Sequence, residues 1–152
     1  EAIPTNHSTG EPALSLTRAA LEVGASVVTA NKAPVALRLP ELLALASSRG
    51  ARYLYESACM DGVPLFNMAR RCLPHATVHA FEGILNSTTN VILQRLEADP
   101  SSTFEAALRS AQDMGIAEAD PSADVDGLDA AAKCVCLARA LGLSASACLG
   151  DV

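Results

Sequence analysis

Tryptophan is absent, and only two tyrosines and three phenylalanines are spread over 152 residues. Single-stranded nucleic acids are gripped by stacking bases on aromatic side chains, so a chain with 3% aromatics offers no such platform. Positive charge is scarce as well: 11 Lys and Arg against 17 Asp and Glu give a formal net charge of -6. A phosphate-backbone binder needs a concentrated basic face, so no nucleic acid partner is expected. No apolar run reaches the roughly 20 residues that span a bilayer, so no membrane partner is expected either. The opening Glu1-Ala2-Ile3-Pro4-Thr5 lacks the basic flank and apolar run of a secretory signal. It also lacks an initiator Met, and the chain is expected to be a piece of something longer.

The five cysteines, Cys59, Cys72, Cys134, Cys136 and Cys148, form no C-x-x-C pair and have no histidine at metal-ligand spacing. They are expected to act as small apolar residues in a reducing compartment, the cytoplasm. His7, His75 and His79 have no evident partners and are read as surface or core residues.

What is present is apolar: half the residues are hydrophobic and 18% are charged, which argues for a packed core. A chain this long makes one ordinary domain or two incomplete halves, and can bury roughly 70% of its unfolded surface. Ala2 to Asn6 reads as a strand end running into a loop. Glu11-Pro12 opens a helix, with Ala13, Leu16, Ala20, Leu21 and Val23 at helical spacing and Gly24 as its stop. Val27-Val28-Thr29 reads as a buried strand. A helix from Leu37 to Ala46 and a strand from Arg52 to Glu56 follow. Strand, helix, strand, helix, strand argues for a parallel sheet with crossover helices, an α/β fold.

The grammar then changes, and a domain boundary is placed near residues 57–63. Asp61-Gly62-Val63-Pro64 is turn chemistry. Leu65 to Cys72 reads as a helix stopped by Pro74, and Thr77 to Leu85 as a strand. Asn86-Ser87-Thr88-Thr89-Asn90 leads into a helix over Val91 to Leu96. Ser102 or Thr103 caps a helix running to about Asp113. An acidic loop from Glu118 to Asp126 precedes a long helix from about Gly127 to Leu141.

That last helix is apolar nearly all round and should be buried on most sides. Yet Asp129 and Lys133 lie four apart on one of its faces. On an exposed helix the pair is a surface ion pair worth about 0.3–0.5 kcal/mol. In greasy surroundings it is partly desolvated, and a lysine there can exchange protons near neutral pH. The acidic loop, with Glu118, Asp120, Asp124 and Asp126, is either a solvated loop that complements the following helix dipole or a set of carboxylates for a cationic substrate group. Lys32 sits just past the C-terminal end of a predicted parallel strand, the edge where α/β sheets bind ligands, unless it is a plain solvated lysine. Asn86 to Thr89 is either an N-cap or an anion site at a helix start.

Three segments together resemble one family. Val27-Val28-Thr29-Ala30-Asn31-Lys32-Ala33-Pro34 is similar to the VVTANK-x-P segment of homoserine dehydrogenases. Gly83 to Asn90 resembles their G-I-L-N-G-T-T-N segment, with Ser87 in place of the usual Gly. Gly115 to Pro121 with Asp124 to Lys133 resembles their longest signature. The resemblance implies the second part of a Rossmann nucleotide-binding domain over residues 1–60, followed by an incomplete α+β substrate and dimerisation domain over residues 61–152. It implies interconversion of L-homoserine, a small amino-acid substrate, and L-aspartate 4-semialdehyde with NADP or NAD, in threonine and methionine biosynthesis.

By position, the resemblance makes Lys133 the proton donor and acceptor at the substrate oxygen. Asp129 orients the substrate hydroxyl and sets the lysine's charge. Glu118 holds the substrate amine with Asp124 nearby, and Thr88 helps bind the substrate. Lys32 lies between nicotinamide and substrate and shares in proton transfer, with Thr5 and Asn6 in the loop beside the nicotinamide. A monovalent cation, Na+ or K+, falls to Glu56, Cys59, Asp61 and Val63, in a turn that is less Gly-rich than the family's. A homodimer is implied. The family's Gly-rich phosphate turn has no match in residues 1–30, so the alternative is a truncated, non-catalytic paralogue acting as a binding or oligomerisation module.

Overall fold

The computed structural model describes all 152 residues, which form two compact units: residues 1–81 with 132–152, and residues 82–131. The first unit opens with helix α1 (Ala13–Glu22), ended by Gly24 at φ +81°, a left-handed turn that glycine adopts without steric penalty. Strand β1 (Val27–Val28) pairs in parallel with β2 (Tyr53–Leu54), in the register Val27 to Tyr53 and Val28 to Leu54. Helix α2 (Lys32–Ser48) makes the crossover between them. The predicted parallel pairing with a crossover helix is therefore present for the second and third of the three expected strands. The strands are shorter than expected and alternate, with Val27 and Tyr53 buried and Val28 and Leu54 exposed.

Helix α2 begins at Lys32, not at Leu37. Pro34 lies in its first turn, where a missing N–H breaks no intrahelical bond. Pro40 acts differently: its ring crowds the preceding turn, and Arg38 leaves helical geometry at φ -139°, ψ 22°. The expected helix is thus the segment beyond this kink. Leu21, Val35 and Leu42 are fully buried between α1 and α2, each worth about 1.5–3 kcal/mol of apolar burial.

Beyond β2 the chain turns through a 3₁₀ segment (Glu56–Ala58) into α3 (Leu65–Asn67), which continues as a π turn over Met68–Cys72. Tyr53, Tyr55 and Phe66 stack in a row with ring centroids 5.5 and 5.3 Å apart, and the Arg70 guanidinium lies 4.7 Å over Tyr55. The expected strand over Thr77 to Leu85 does not form. The sheet contains only β1 and β2, so this segment has no ladder to complete, and Gly83 weakens it further. Nor do residues 2–6 form a strand. Ala132, Val135, Cys136 and Leu137 of the long helix α7 (Leu128–Ala140) join the buried residues, but Leu128 at its start is exposed, so burial is confined to its middle.

The second unit packs α4 (Ser87–Ala98) against α5 (Phe104–Asp113). Its small core is Ile92, Ala107, Ala111 and Ala117, flanked by Val91, Leu96 and Leu108. Thr103 caps α5 as expected, its hydroxyl accepting from the Ala106 amide at 3.2 Å. The acidic segment is not all loop: Ser122–Val125 forms a single helical turn, α6. No helix is long and apolar enough to cross a membrane.

Candidate active site

The site in the second unit is organised by one amide. Asn86 ends an extended segment and starts α4; its Oδ1 accepts the Thr89 N–H at 2.8 Å, closing the first turn. Its Nδ2 donates to Asp124 Oδ1 at 2.6 Å and to Asp129 Oδ2 at 3.0 Å. The orientation of the amide is fixed by chemistry, since only its NH₂ can serve two carboxylates. Asn86 is 7% exposed, and both contacts are part-buried. Asp124 comes from α6 and Asp129 from the first turn of α7, whose dipole favours negative charge there. Asn86 thus ties together two segments that were separate motifs in the sequence. The N-cap reading is correct but incomplete, because the same side chain also gathers the carboxylates.

Two carboxylates around one nitrogen repel each other. At roughly 5 Å and an effective dielectric near 20, Coulomb's law gives about 3 kcal/mol. A neutral amide orients them without cancelling their charge, so the cluster favours a cation beside it. Lys133 follows Asp129 by one turn along α7. Thr88 is buried beneath the start of α4, with its hydroxyl donating to the Ile116 carbonyl at 3.3 Å. Glu118 is exposed, and its backbone carbonyl accepts from Gln112 Nε2 at 3.1 Å.

In the first unit, Lys32 is the first residue of α2, at the C-terminal end of β1. The Cys136 thiol on α7 donates to the Lys32 carbonyl at 3.5 Å. Lys133 precedes Cys136 by three residues and so shares its stripe of the helix. The loop carrying Thr5 and Asn6 is held by its own bonds: Thr5 Oγ1 donates to the Ile3 carbonyl, and Asn6 Oδ1 accepts the Ser8 and Thr9 amides. Asn31 Nδ2 donates to the Ile3 carbonyl at 3.0 Å, which fixes this loop beside the start of α2. The loop and Lys32 therefore lie together beyond the C-terminal end of β1.

Not all cysteines are core residues: Cys59 and Cys136 are buried, whereas Cys72 and Cys148 are exposed. The Cys59 side chain hydrogen-bonds Cys136, and with burial this pushes the Cys136 thiol far above its ordinary pKa. No sequence signal marked that pair.

The expected cation loop has a structural task of its own. Glu56 accepts the Phe66 amide at 2.7 Å through Oε1 and the Asn67 amide at 3.0 Å through Oε2. Met60 and Asp61 are left-handed, at φ 60° and 51°, so this turn keeps a glycine-like path without glycine. Val63 accepts the Leu65 amide at 2.8 Å. No three His, Cys, Asp or Glu side chains converge as a metal site; a monovalent cation would here be held through backbone carbonyls and the Glu56 carboxylate.

Comparison with known proteins identifies the family. The family model for homoserine dehydrogenase matches residues 64–148. The chain is 45% identical over 152 residues to the NAD(+)-dependent homoserine dehydrogenase of Pseudomonas canavaninivorans, covering 100% of this chain and 42% of that protein. It is 44% identical over 134 residues to the homoserine dehydrogenase of Sulfurisphaera tokodaii, covering 88% and 43%. The crystal structure of the putative homoserine dehydrogenase from Archaeoglobus fulgidus matches with a TM-score of 0.84 at 38% identity, over 91% of this chain and 42% of that one. A hyperthermophilic archaeal homoserine dehydrogenase in complex with NADPH gives 0.78 at 32% identity, over 91% and 41%. The chain thus spans less than half the length of the relatives it matches. With the family model covering more than half of its residues, the chain belongs to the homoserine dehydrogenase family.

Proposed function

We propose that this chain supplies the proton-transfer and substrate-binding residues of an NAD(P)-dependent homoserine dehydrogenase, which interconverts L-homoserine and L-aspartate 4-semialdehyde. The observation that carries the reading is the joining of Asp124 and Asp129 by Asn86. It collects into one anionic cluster two of the carboxylates that the family signature assigns to the substrate.

Homoserine brings an ammonium, a carboxylate and a terminal alcohol. Glu118 and Asp124 suit the ammonium, since carboxylates favour a cation. Asp129 orients the alcohol, and Lys133 takes its proton as the carbon–oxygen double bond forms; in the reverse direction the Lys133 ammonium returns that proton. A positioned ammonium neutralises alkoxide charge where it develops, and the carboxylate one turn away makes a charged lysine tolerable in a dry site. Thr88, held from below by the Ile116 carbonyl, supports the floor beside the substrate. Lys32 stands at the sheet edge with Thr5 and Asn6, where these residues would flank the nicotinamide. That cofactor, when bound, accepts or supplies the hydride. No Gly-rich phosphate turn lies among these residues, so they would hold only its nicotinamide end.

In the same reading, residues 1–60 are the second part of the nucleotide-binding domain and residues 61–152 belong to the catalytic domain. The start of the family match at residue 64 supports that division. A monovalent cation at Glu56, Cys59, Asp61 and Val63, a homodimer and a cytoplasmic location complete the proposal. The test is turnover by the full-length gene product with homoserine and with other 3- and 4-hydroxy amino acids, using NAD and NADP. Preference for homoserine is expected. Equal use of the others assigns a different amino-acid dehydrogenase activity, and no turnover assigns a binding module.

A further inference from the structure

We infer that Asn86 is a positioning residue for substrate binding, fixing the Asp124 and Asp129 carboxylates in one arrangement; this rests on the homoserine dehydrogenase reading above. Asn86 uses all three hydrogen-bonding groups of its amide at once: Oδ1 on the Thr89 amide, and the NH₂ on Asp124 Oδ1 and Asp129 Oδ2. It is nearly buried, so water does not substitute readily for either contact. Asp124 lies in a single helical turn and Asp129 in the first turn of α7. Their mutual repulsion would drive them apart without a shared donor. Asp124 also borders a mostly apolar cavity lined by Ile92, Leu96 and Val125, with Thr89 at its wall. A displacement on the order of 1 Å in such groups can lower turnover about 100-fold.

The two ends of this side chain perform separable tasks, and that makes the inference testable. Serine and aspartate cap helices about as well as asparagine, so Asn86→Ser and Asn86→Asp preserve the start of α4. Serine cannot reach both carboxylates, and aspartate adds a third negative charge to them. In the full-length gene product, Asn86→Ser should melt within about 3 °C of wild type, whereas Asn86→Asp should melt lower because it sets a third carboxylate beside the two. Both should lose about 30- to 100-fold in kcat/KM for homoserine, with most of the loss in KM and the larger loss in Asn86→Asp. Asn86→Ala, which loses the cap as well, should also melt lower.

A cap alone predicts something different: Asn86→Ser and Asn86→Asp would both behave as wild type, and that result overturns the inference. A second readout needs no substrate. In ¹³C spectra of Asp-labelled protein at one fixed pH, the Asp124 and Asp129 carboxyl resonances should move in Asn86→Ser, which removes the donor they share. Unmoved resonances overturn the inference. Wild-type protein that neither binds nor turns over homoserine refutes the enzyme reading instead, and then the carboxyl resonances alone decide whether Asn86 holds the pair.

Discussion

Removing the Glu56 carboxylate should release the turn that follows β2. Its two oxygens take the Phe66 amide at 2.7 Å and the Asn67 amide at 3.0 Å, across a ten-residue excursion of the chain. Phe66 is 1% exposed and stacks on Tyr55, so the first of these amides anchors a buried ring. A hydrogen bond to a charged group contributes about 1.5–3 kcal/mol, and loss of one acceptor leaves a donor unsatisfied. The Asn67 amide is exposed and recovers most of its loss from water. Glu56→Ala should therefore cost about 2–3 kcal/mol locally, and Glu56→Gln, which keeps an oxygen but no charge, about 1 kcal/mol. Hydrogen exchange at the Phe66 amide reads this directly: its protection should fall about 30- to 150-fold in Glu56→Ala and about fivefold in Glu56→Gln. A change below about twofold in Glu56→Ala would refute the argument. The same exchange measured with and without K+ separates the cap from a cation ligand, since only the ligand role makes protection depend on K+.

Three further outcomes follow from particular residues. Glu118→Gln should raise KM for homoserine about tenfold with kcat little changed, because it weakens ground-state and transition-state binding alike; steady-state kinetics on the full-length gene product decide it. Met60→Gly should stabilise the fold by about 0.5–1 kcal/mol in denaturant unfolding, since relief at φ 60° outweighs the added freedom of the unfolded chain. Above pH 9.0, the ordinary pKa of a thiol, unfolded Cys136 loses its proton while the buried thiol keeps it. The unfolded state then binds fewer protons and stability falls with rising pH, by up to about 1.4 kcal/mol per unit for this group. Burial raises Tyr53 in the same direction and steepens the fall above pH 10.0. Unfolding titrations of Cys136→Ala should show a shallower alkaline slope than wild type.

Much of the architecture was legible because it is local. The βαβ alternation follows from β-branched Val27-Val28 and the Leu-rich run after Leu37, and the caps at Asn86 and Thr103 follow from their side chains. What misled was context. Thr77 to Leu85 has a strand's composition, but a strand is defined by a partner, and none in this sheet pairs with it. The helix expected from Leu37 starts at Lys32, because Pro34 is harmless in a first turn. Asp129 and Lys133 were marked by their polarity on a greasy helix, whereas the second task of Asn86 was hidden. Its contacts to Asp124 and Asp129 span 38 and 43 residues, and nothing in local spacing reports them. The bond from Cys136 to Lys32 spans 104 residues and was equally out of reach.

The role of Lys133 as proton carrier bears the most weight, and its replacement by alanine in the full-length gene product tests it most directly. With homoserine and the nicotinamide cofactor saturating, kcat should fall at least about 100-fold while KM for homoserine stays within about threefold. A fall smaller than about fivefold would mean that the proton leaves the substrate alcohol by another group.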